Sequence, residues 1–195
     1  MLASGRGSNL GALIAAQAVY ASYDIALVVS NIETSGALDL ARSANIQALS
    51  LPNKGLSREA HELLLLDVIK SQNIEVICLA GYMRVLGARF IEGFGRPILN
   101  IHPSLLPAFP GMHAQRQAVE AGVRWSGATV HFVDAGLDSG PIVLQDAVRV
   151  LPSDEEEDLA VRILYVEHAL YPRALDIVAR GSYEIVGRRV LLRQP

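Results

Sequence analysis

Apolar and polar positions alternate in two different ways along the first half of the chain. Short apolar runs are typical of strands buried on both faces, and they occupy Ile25–Ser30, Glu75–Ala80 and Pro97–Asn100. Between them, apolar residues recur at helical spacing over Asn9–Ala21, Ala37–Ala44 and Ser57–Gln72. This alternation predicts an α/β fold with a Rossmann-like parallel sheet and helices on both faces.

The pattern changes after Gly127. Runs typical of antiparallel strands are Ala128–Val133 with Ile142–Val150, and Tyr183–Val186 with Arg189–Leu192. The acid-rich stretch Asp154–Asp158 precedes a long amphipathic pattern ending at Arg180, and we interpret these acids as the solvated start of a helix. We therefore predict a single domain over residues 1–195, with closing antiparallel strands and a long C-terminal helix.

The first residues, Met1-Leu2-Ala3, match only the end of a strand, directly before a glycine-rich turn. A strand of a parallel sheet usually has about five or six residues. We therefore expect a few native residues to precede Met1.

The composition favours a globular protein, with 51% apolar and 19% charged residues. A net charge of −3 gives no bulk attraction for nucleic acid or a membrane surface, so we expect small-molecule partners. The single cysteine, Cys78, cannot form an internal disulfide, and no apolar run reaches the length of a membrane span. These features predict a cytoplasmic protein and leave monomer and homodimer both open.

A proline-rich segment from Leu99 to Pro110, L-N-I-H-P-S-L-L-P-A-F-P, is the strongest candidate for chemistry. Its prolines restrict the backbone, so we predict a rigid loop at the end of a strand. Asn100 and His102 are two positions apart, so their side chains point to the same side of an extended segment. An amide donor beside an imidazole can polarise a carbonyl and move a proton. A lone motif of this kind is more often a proline-rich turn with a surface histidine.

Asp138, in L-D-S-G-P, is the second catalytic candidate. A carboxylate near His102 would favour the protonated imidazole. Carboxylates beside glycine are more often turn formers, the role that we assign to Asp134 in the same loop. We interpret His131, which alternates along a predicted strand, as a structural histidine at the margin of the site.

The glycine-rich turn Ser4–Asn9, S-G-R-G-S-N, precedes a predicted helix. Glycines let a ligand approach the backbone, and the first amides of a helix attract anions. The spacing lacks both the dinucleotide fingerprint and the lysine of a P-loop, so Gly7, Ser8 and Asn9 suit a single phosphate monoester. The alternative is tight packing, with Ser8 or Asn9 as an ordinary helix N-cap.

Six motifs occur in a fixed order: G-R-G-S-N, A-G-Y-M-R-V-L, L-N-I-H-P-S-L-L-P, P-G-M-H, H-F-V and L-D-S-G-P. With them the chain resembles the folate-dependent formyltransferases over most of its length, from Leu2 to about Ala179. P-G-M-H at Pro110–His113 and V-E-H-A-L-Y-P at Val166–Pro172 favour the branch that acts on phosphoribosylglycinamide. The methionyl-tRNA formyltransferases and the formyltetrahydrofolate deformylases resemble the chain less.

This resemblance implies an enzyme of de novo purine synthesis that needs no metal. It would transfer the formyl group of its co-substrate, 10-formyltetrahydrofolate, to the primary amine of phosphoribosylglycinamide. Asn100 would bind the formyl oxygen, and His102 would stabilise the oxyanion as a cation and donate a proton. Asp138 would keep that imidazole protonated and assist proton removal from the amine. Residues 1–100 would bind the phosphoribosyl substrate, and residues 101–195 would complete the folate and catalytic site.

The resemblance also implies two sets of binding residues. The set for phosphoribosylglycinamide is Gly7, Ser8, Asn9 and Glu167. The set for folate is Arg58, Met83, Arg84, Val85, Leu86 and Asn100. For Arg58 the alternative is an exposed arginine at a helix start, and for Glu167 it is an ordinary acid on a helix face. Hydrolysis to formate, or non-catalytic binding of a phosphorylated sugar through the glycine turn, also remains open as the function.

Overall fold

Six helices and eight strands are formed by residues 1–193, the part of the chain that the computed structural model describes. The helices are α1 (Ser8–Ala16), α2 (Gly36–Ser43), α3 (Arg58–Ser71), α4 (Ala88–Phe94), α5 (Ala114–Glu120) and α6 (Glu156–Ala179). The strands are β1 (Leu27–Ser30), β2 (Gln47–Ser50), β3 (Ile77–Leu79), β4 (Ile98–His102), β5 (Trp125–Phe132), β6 (Ile142–Arg149), β7 (Tyr183–Val186) and β8 (Arg189–Leu192). The chain divides into two compact units, the first Met1–Leu99 and the second from Asn100 onward, so the division falls within β4.

The first unit contains the predicted parallel sheet. β1 pairs in parallel with β2, and all four residues of β1 are buried, as expected of a strand covered on both faces. Leu2 forms parallel bridges with both Val29 and Leu79 and so lies between β1 and β3. β3 runs beside the start of β4, where the Ile77 N–H donates to the Pro97 carbonyl at 3.0 Å.

α3 is the helix of the first unit that begins at a side-chain cap. The Ser57 hydroxyl accepts the Ala60 N–H at 3.1 Å and caps α3, with Glu59 in the first turn, as predicted. α1 ends at Ala16, five residues before the predicted end. The core between α1, α2 and the sheet consists of Ala3, Leu10, Val28, Ala37, Leu38 and Ala41.

The second unit contains the predicted antiparallel strands and the long helix. The strand order is β4-β5-β6-β8-β7, and β5 pairs antiparallel with β6 from Trp125 opposite Arg149 to His131 opposite Ile142. α6 packs on both β5 and β6. It starts with a capping box between Glu155 and Asp158, so the interpretation of the acidic stretch as a helix start is confirmed.

At the start of β5, the half-exposed Trp125 ring lies 5.2 Å from the Arg149 guanidinium carbon.

Three elements were not predicted, and the predicted end of β4 was wrong, as was that of α1. The unpredicted elements are β2, α4 and α5. β4 continues through His102, so Asn100 and His102 lie in the strand and the loop begins only after them. The two side chains are therefore fixed by sheet hydrogen bonding as well as by the prolines that follow.

Candidate functional site

The loop after β4 is held in place by the buried side chain of Thr129 on β5. The Thr129 hydroxyl donates to the Ser104 carbonyl at 2.6 Å and accepts the Leu106 N–H at 3.0 Å. The Gln145 amide donates to the same hydroxyl at 2.9 Å. Further along the loop, the Ser104 hydroxyl donates to the Ala108 carbonyl at 2.5 Å. These bonds fix the loop where it passes the His102 ring.

His102 is 5% exposed, and each of its ring nitrogens lies near an oxygen. Nε2 is 2.8 Å from the Phe109 carbonyl, and Nδ1 is 3.4 Å from Oδ2 of Asp138. A carbonyl only accepts, so Nε2 must carry a proton. Only the doubly protonated ring offers a donor to both oxygens. Because the Phe109 carbonyl occupies Nε2, Nδ1 is the nitrogen able to exchange a proton with other groups.

Asp138 lies in the loop between β5 and β6, and its backbone is left-handed, with φ of 48°. Its Oδ2 accepts the Gly111 N–H at 2.8 Å, which orients the carboxylate toward His102. Asp134 has a different role in the same loop. Its Oδ1 accepts the Gly136 N–H at 3.0 Å and the Ser139 hydroxyl at 2.7 Å, so it forms the turn.

His131, on β5, is a member of this cluster that sequence reasoning left at the margin. The ring is 2% exposed, and Nδ1 lies 2.9 Å from the Phe132 carbonyl. Nε2 is 3.2 Å from Nδ2 of Asn100 and 3.8 Å from Oδ1 of Asp138. Burial lowers the pKa of His131, so the ring is neutral. The structure thus brings His102 and Asp138 together directly and joins Asn100 to them through His131.

The glycine turn lies in the first unit and leads directly into α1. Gly7 is the N-cap residue in a left-handed conformation, with φ of 83°, and no side chain caps the helix. The interpretation of Ser8 or Asn9 as the N-cap is therefore wrong, because both lie within the helix. A Cβ on Gly7 would be only 2.8 Å from Cα of Ala37, so the turn is also tightly packed.

The segment Met83–Leu86, also in the first unit, is fixed at both ends by hydrogen bonds. The Met83 N–H donates to the Ser4 hydroxyl at 3.0 Å, and that hydroxyl donates to Oδ1 of Asn31 at 2.6 Å. The Gly87 N–H donates to the buried Glu62 carboxylate at 2.8 Å. Between these anchors Met83 and Val85 are exposed, whereas Leu86 is buried.

The remaining two predicted binding residues lie on helices of different units. Arg58, half-exposed at the start of α3, has its guanidinium 3.5 Å from Glu59 and 3.9 Å from Glu62. Glu167 is buried on α6 in the second unit. The roles assigned to both residues stay predictions.

Two kinds of feature are absent from residues 1–193. No three histidine, cysteine or acidic side chains within that range are grouped so that they could hold a metal ion. No helix there combines the length and the apolar character needed to cross a membrane.

Comparison with known proteins defines the class to which this fold and site belong. A family model described as formyl transferase matches residues 1–175. The phosphoribosylglycinamide formyltransferase of Escherichia coli K12 is 40% identical over 187 residues, which cover 95% of this chain and 88% of that protein. The crystal structure of glycinamide ribonucleotide transformylase 1 from Symbiobacterium toebii has a TM-score of 0.95 at 44% identity, covering 99% of this chain and 92% of that one.

A longer relative also contains the same region. The trifunctional purine biosynthetic protein adenosine-3 of Drosophila pseudoobscura pseudoobscura is 47% identical over 188 residues, or 93% of this chain. The chain spans only 14% of the length of that relative.

The chain belongs to the formyl transferase family, and the resemblance inferred from its motifs is confirmed. The predicted fold class is confirmed by the Symbiobacterium toebii structure.

Proposed function

We propose that this protein transfers the formyl group of 10-formyltetrahydrofolate to the primary amine of phosphoribosylglycinamide, a step of purine synthesis. The observation that carries the proposal is the 3.4 Å approach of His102 Nδ1 to the Asp138 carboxylate. Asn100 is joined to this pair through His131. An amide, an imidazole and a carboxylate in one cluster are the groups that acyl transfer to an amine needs.

The chemistry begins when the substrate amine attacks the formyl carbon and the carbonyl oxygen becomes an oxyanion. Asn100 and the Nδ1–H of protonated His102 donate to that oxygen, and Asp138 stabilises the imidazolium. The carboxylate then assists removal of the proton from the attacking nitrogen. The bond between the formyl carbon and N10 of the folate breaks, and N10 takes up a proton from His102. The products are the formylated amine and tetrahydrofolate.

The other predicted residues would hold the two substrates. Gly7, Ser8 and Asn9 would bind the phosphate through helix-start amides, a role supported by the lack of any side-chain cap on α1. Glu167 would bind the ribose or glycinamide end. Arg58 and Met83–Leu86 would bind the folate, with main-chain contacts to the pterin supported by the exposed Met83 and Val85. Residues 1–100 would then contribute mainly the phosphoribosyl site, and residues 101–195 would complete the folate and catalytic site.

The test is a formyl-transfer assay with the purified chain. The absorbance change of 10-formyl-5,8-dideazafolate is followed with and without phosphoribosylglycinamide. We expect deformylation of the folate analogue only when the amine is present, together with formylated amine as product. Release of formate without the amine would indicate hydrolysis instead. Phosphoribosylglycinamide binding without any absorbance change would indicate a binding protein, and either result would overturn the proposal.

A further inference from the structure

We propose that His131 is a positioning residue, which holds the side-chain amide of Asn100 in the orientation used for formyl transfer. This inference rests on the proposed function, since it concerns the same site. His131 itself would not touch the substrate. It would act through the 3.2 Å contact between its Nε2 and Nδ2 of Asn100.

The hydrogen-bond partners of His131 determine which nitrogen carries its proton. The Phe132 carbonyl, 2.9 Å from Nδ1, can only accept, so the proton of the neutral ring is on Nδ1. Nε2 is therefore a bare acceptor. The only group of Asn100 that can satisfy it is the NH2 group, because the amide oxygen would place two lone pairs against each other.

This contact selects one of the two flipped orientations of the Asn100 amide. One amide hydrogen is donated to His131, and the second hydrogen remains available to another acceptor. Without the histidine acceptor, the amide could rotate and exchange the positions of its oxygen and nitrogen. A donor aimed at a developing oxyanion is effective only if its orientation is fixed before the reaction.

The surroundings keep Nε2 in its acceptor form. Burial, the largest influence, lowers the pKa of His131, and the positive charge of a protonated His102 acts in the same direction. The hydrogen bond to the Phe132 carbonyl and the Asp138 and Asp134 carboxylates act in the opposite direction, and burial outweighs them. Oδ1 of Asp138 is 3.8 Å from Nε2, beyond hydrogen-bonding distance, so the Asn100 amide is the closer partner.

A double-mutant cycle on kcat tests whether His131 acts through Asn100. We expect Asn100→Ala to lower kcat by about 10²–10³-fold, the usual effect of losing one oxyanion donor. In the wild-type background, His131→Ala should lower kcat by about tenfold or more, which is within the usual coupling free energy between residues in contact. KM should change little. In the Asn100→Ala background, the same substitution should have no further effect. If His131→Ala lowers kcat by the same factor in the Asn100→Ala background as in the wild type, the two residues act independently and the proposal is wrong.

Two further variants separate positioning from folding. His131→Gln retains an acceptor oxygen, so its kcat should be higher than that of His131→Ala. Equal kcat values for the two variants would contradict the proposal. His61 is a matched buried histidine, 1% exposed, with Nε2 2.9 Å from the Leu51 carbonyl. His61→Ala should lower the free energy of unfolding and leave kcat unchanged.

NMR of the side-chain amide tests the contact without relying on catalysis. The two ¹H–¹⁵N signals of the Asn100 NH2 group are assigned from their loss in Asn100→Asp. We expect His131→Gln to shift them, because the aromatic acceptor is removed. If these signals do not move, the positioning role is wrong. If they shift but the wild-type chain transfers no formyl group, the contact stands and the proposed function fails.

Discussion

At the scale of single residues, two aspartates in one loop have opposite surroundings. Oδ1 of Asp134 accepts two hydrogen bonds from its own loop, whereas Oδ2 of Asp138 faces His102 and the Gly111 N–H. Both side chains carry the same charge and are four positions apart. The difference in their contacts therefore gives a direct test of the proposed role of Asp138.

We predict that Asp138→Asn lowers kcat by about 10²–10⁴-fold, the range for loss of an acid–base group. Asparagine still accepts the Gly111 N–H, so the loop keeps its shape, but it no longer stabilises the charged His102. Steady-state kinetics of formyl transfer provide the measurement.

Asp134→Asn is the control for this experiment. Its Oδ1 can still accept the Gly136 N–H and the Ser139 hydroxyl, and kcat should change little. Equal losses of activity in both variants would show that the loop, rather than the carboxylate of Asp138, is responsible.

The motifs identify the residue types of the candidate site, but not all of its contacts. Asn100, His102 and Asp138 stand in distinctive segments that sequence reasoning can single out. The Phe109 carbonyl and the Gly111 N–H are backbone groups, which no side-chain pattern marks. The Asn100–His131 contact joins residues 31 positions apart and depends on the strand neighbours of β4. The signals for His131 were the alternation along β5 and its place in the H-F-V motif, and neither indicates the contact with Asn100.

At the scale of elements, the glycine turn before α1 depends on one of its two glycines. Gly7 is left-handed, and a side chain there would contact the backbone of Ala37. A Cβ on Gly5 would have no heavy atom within 4 Å apart from those of its chain neighbours. The two positions are therefore a matched pair in the same turn.

We predict that Gly7→Ala destabilises the protein by at least about 1–2 kcal/mol, the cost of a left-handed residue with a Cβ. The clash with Ala37 adds to this cost, and the displaced helix start should raise the KM for phosphoribosylglycinamide. Urea unfolding and steady-state kinetics measure the two effects.

Gly5→Ala should leave both quantities close to those of the wild type. An equally large effect at Gly5 would mean that general flexibility of the turn, and not the conformation of Gly7, is what matters.

Elements with strong local signals were predicted well, and those without were missed. The closing hairpin and the capped start of α3 follow from alternation and from Ser57. β2, Q-A-L-S, has little strand propensity and forms by pairing with β1. α4 and α5 have seven residues each, too few to display helical periodicity. Their formation depends on tertiary packing, which a local pattern does not contain.

At the scale of the whole molecule, the buried His131 and the partly buried His168 make stability depend on pH. Burial lowers the pKa of both His131 and His168 below the ordinary value of 6.5. The unfolded chain therefore binds protons at these positions at a higher pH than the folded chain does. By linkage, the free energy of unfolding falls as the pH drops below about 6.5 and stops falling once the folded-state pKa values are passed.

We predict that the protein is less stable at about pH 5 than at about pH 7.5, and that His168→Gln reduces this difference. Glutamine does not titrate, so the contribution of His168 is removed, while those of His131 and of the Met1 amino group, whose pKa burial also lowers, remain. Urea unfolding at both pH values gives the measurement. The pKa of Asp154 is lowered chiefly by its hydrogen bonds with Arg162, so the stability that this carboxylate contributes is lost only below about pH 4 and does not differ between the two pH values.

His113, a histidine with a 56% exposed side chain, provides the control. His113→Gln should leave the pH difference as it is in the wild type. A difference that is unaffected by His168→Gln would contradict the assignment of part of this acid sensitivity to the partly buried His168 ring.

The pairing of Trp125 with Arg149 provides the protein with an internal optical probe. Trp125 is the chain's single tryptophan, and the cation lies beside its indole ring across the β5–β6 pair. When these two strands separate, the indole loses its neighbour and becomes fully hydrated, so its emission moves to longer wavelength. Fluorescence therefore reports opening of the second unit without any label, while melting confined to the first unit is invisible to it.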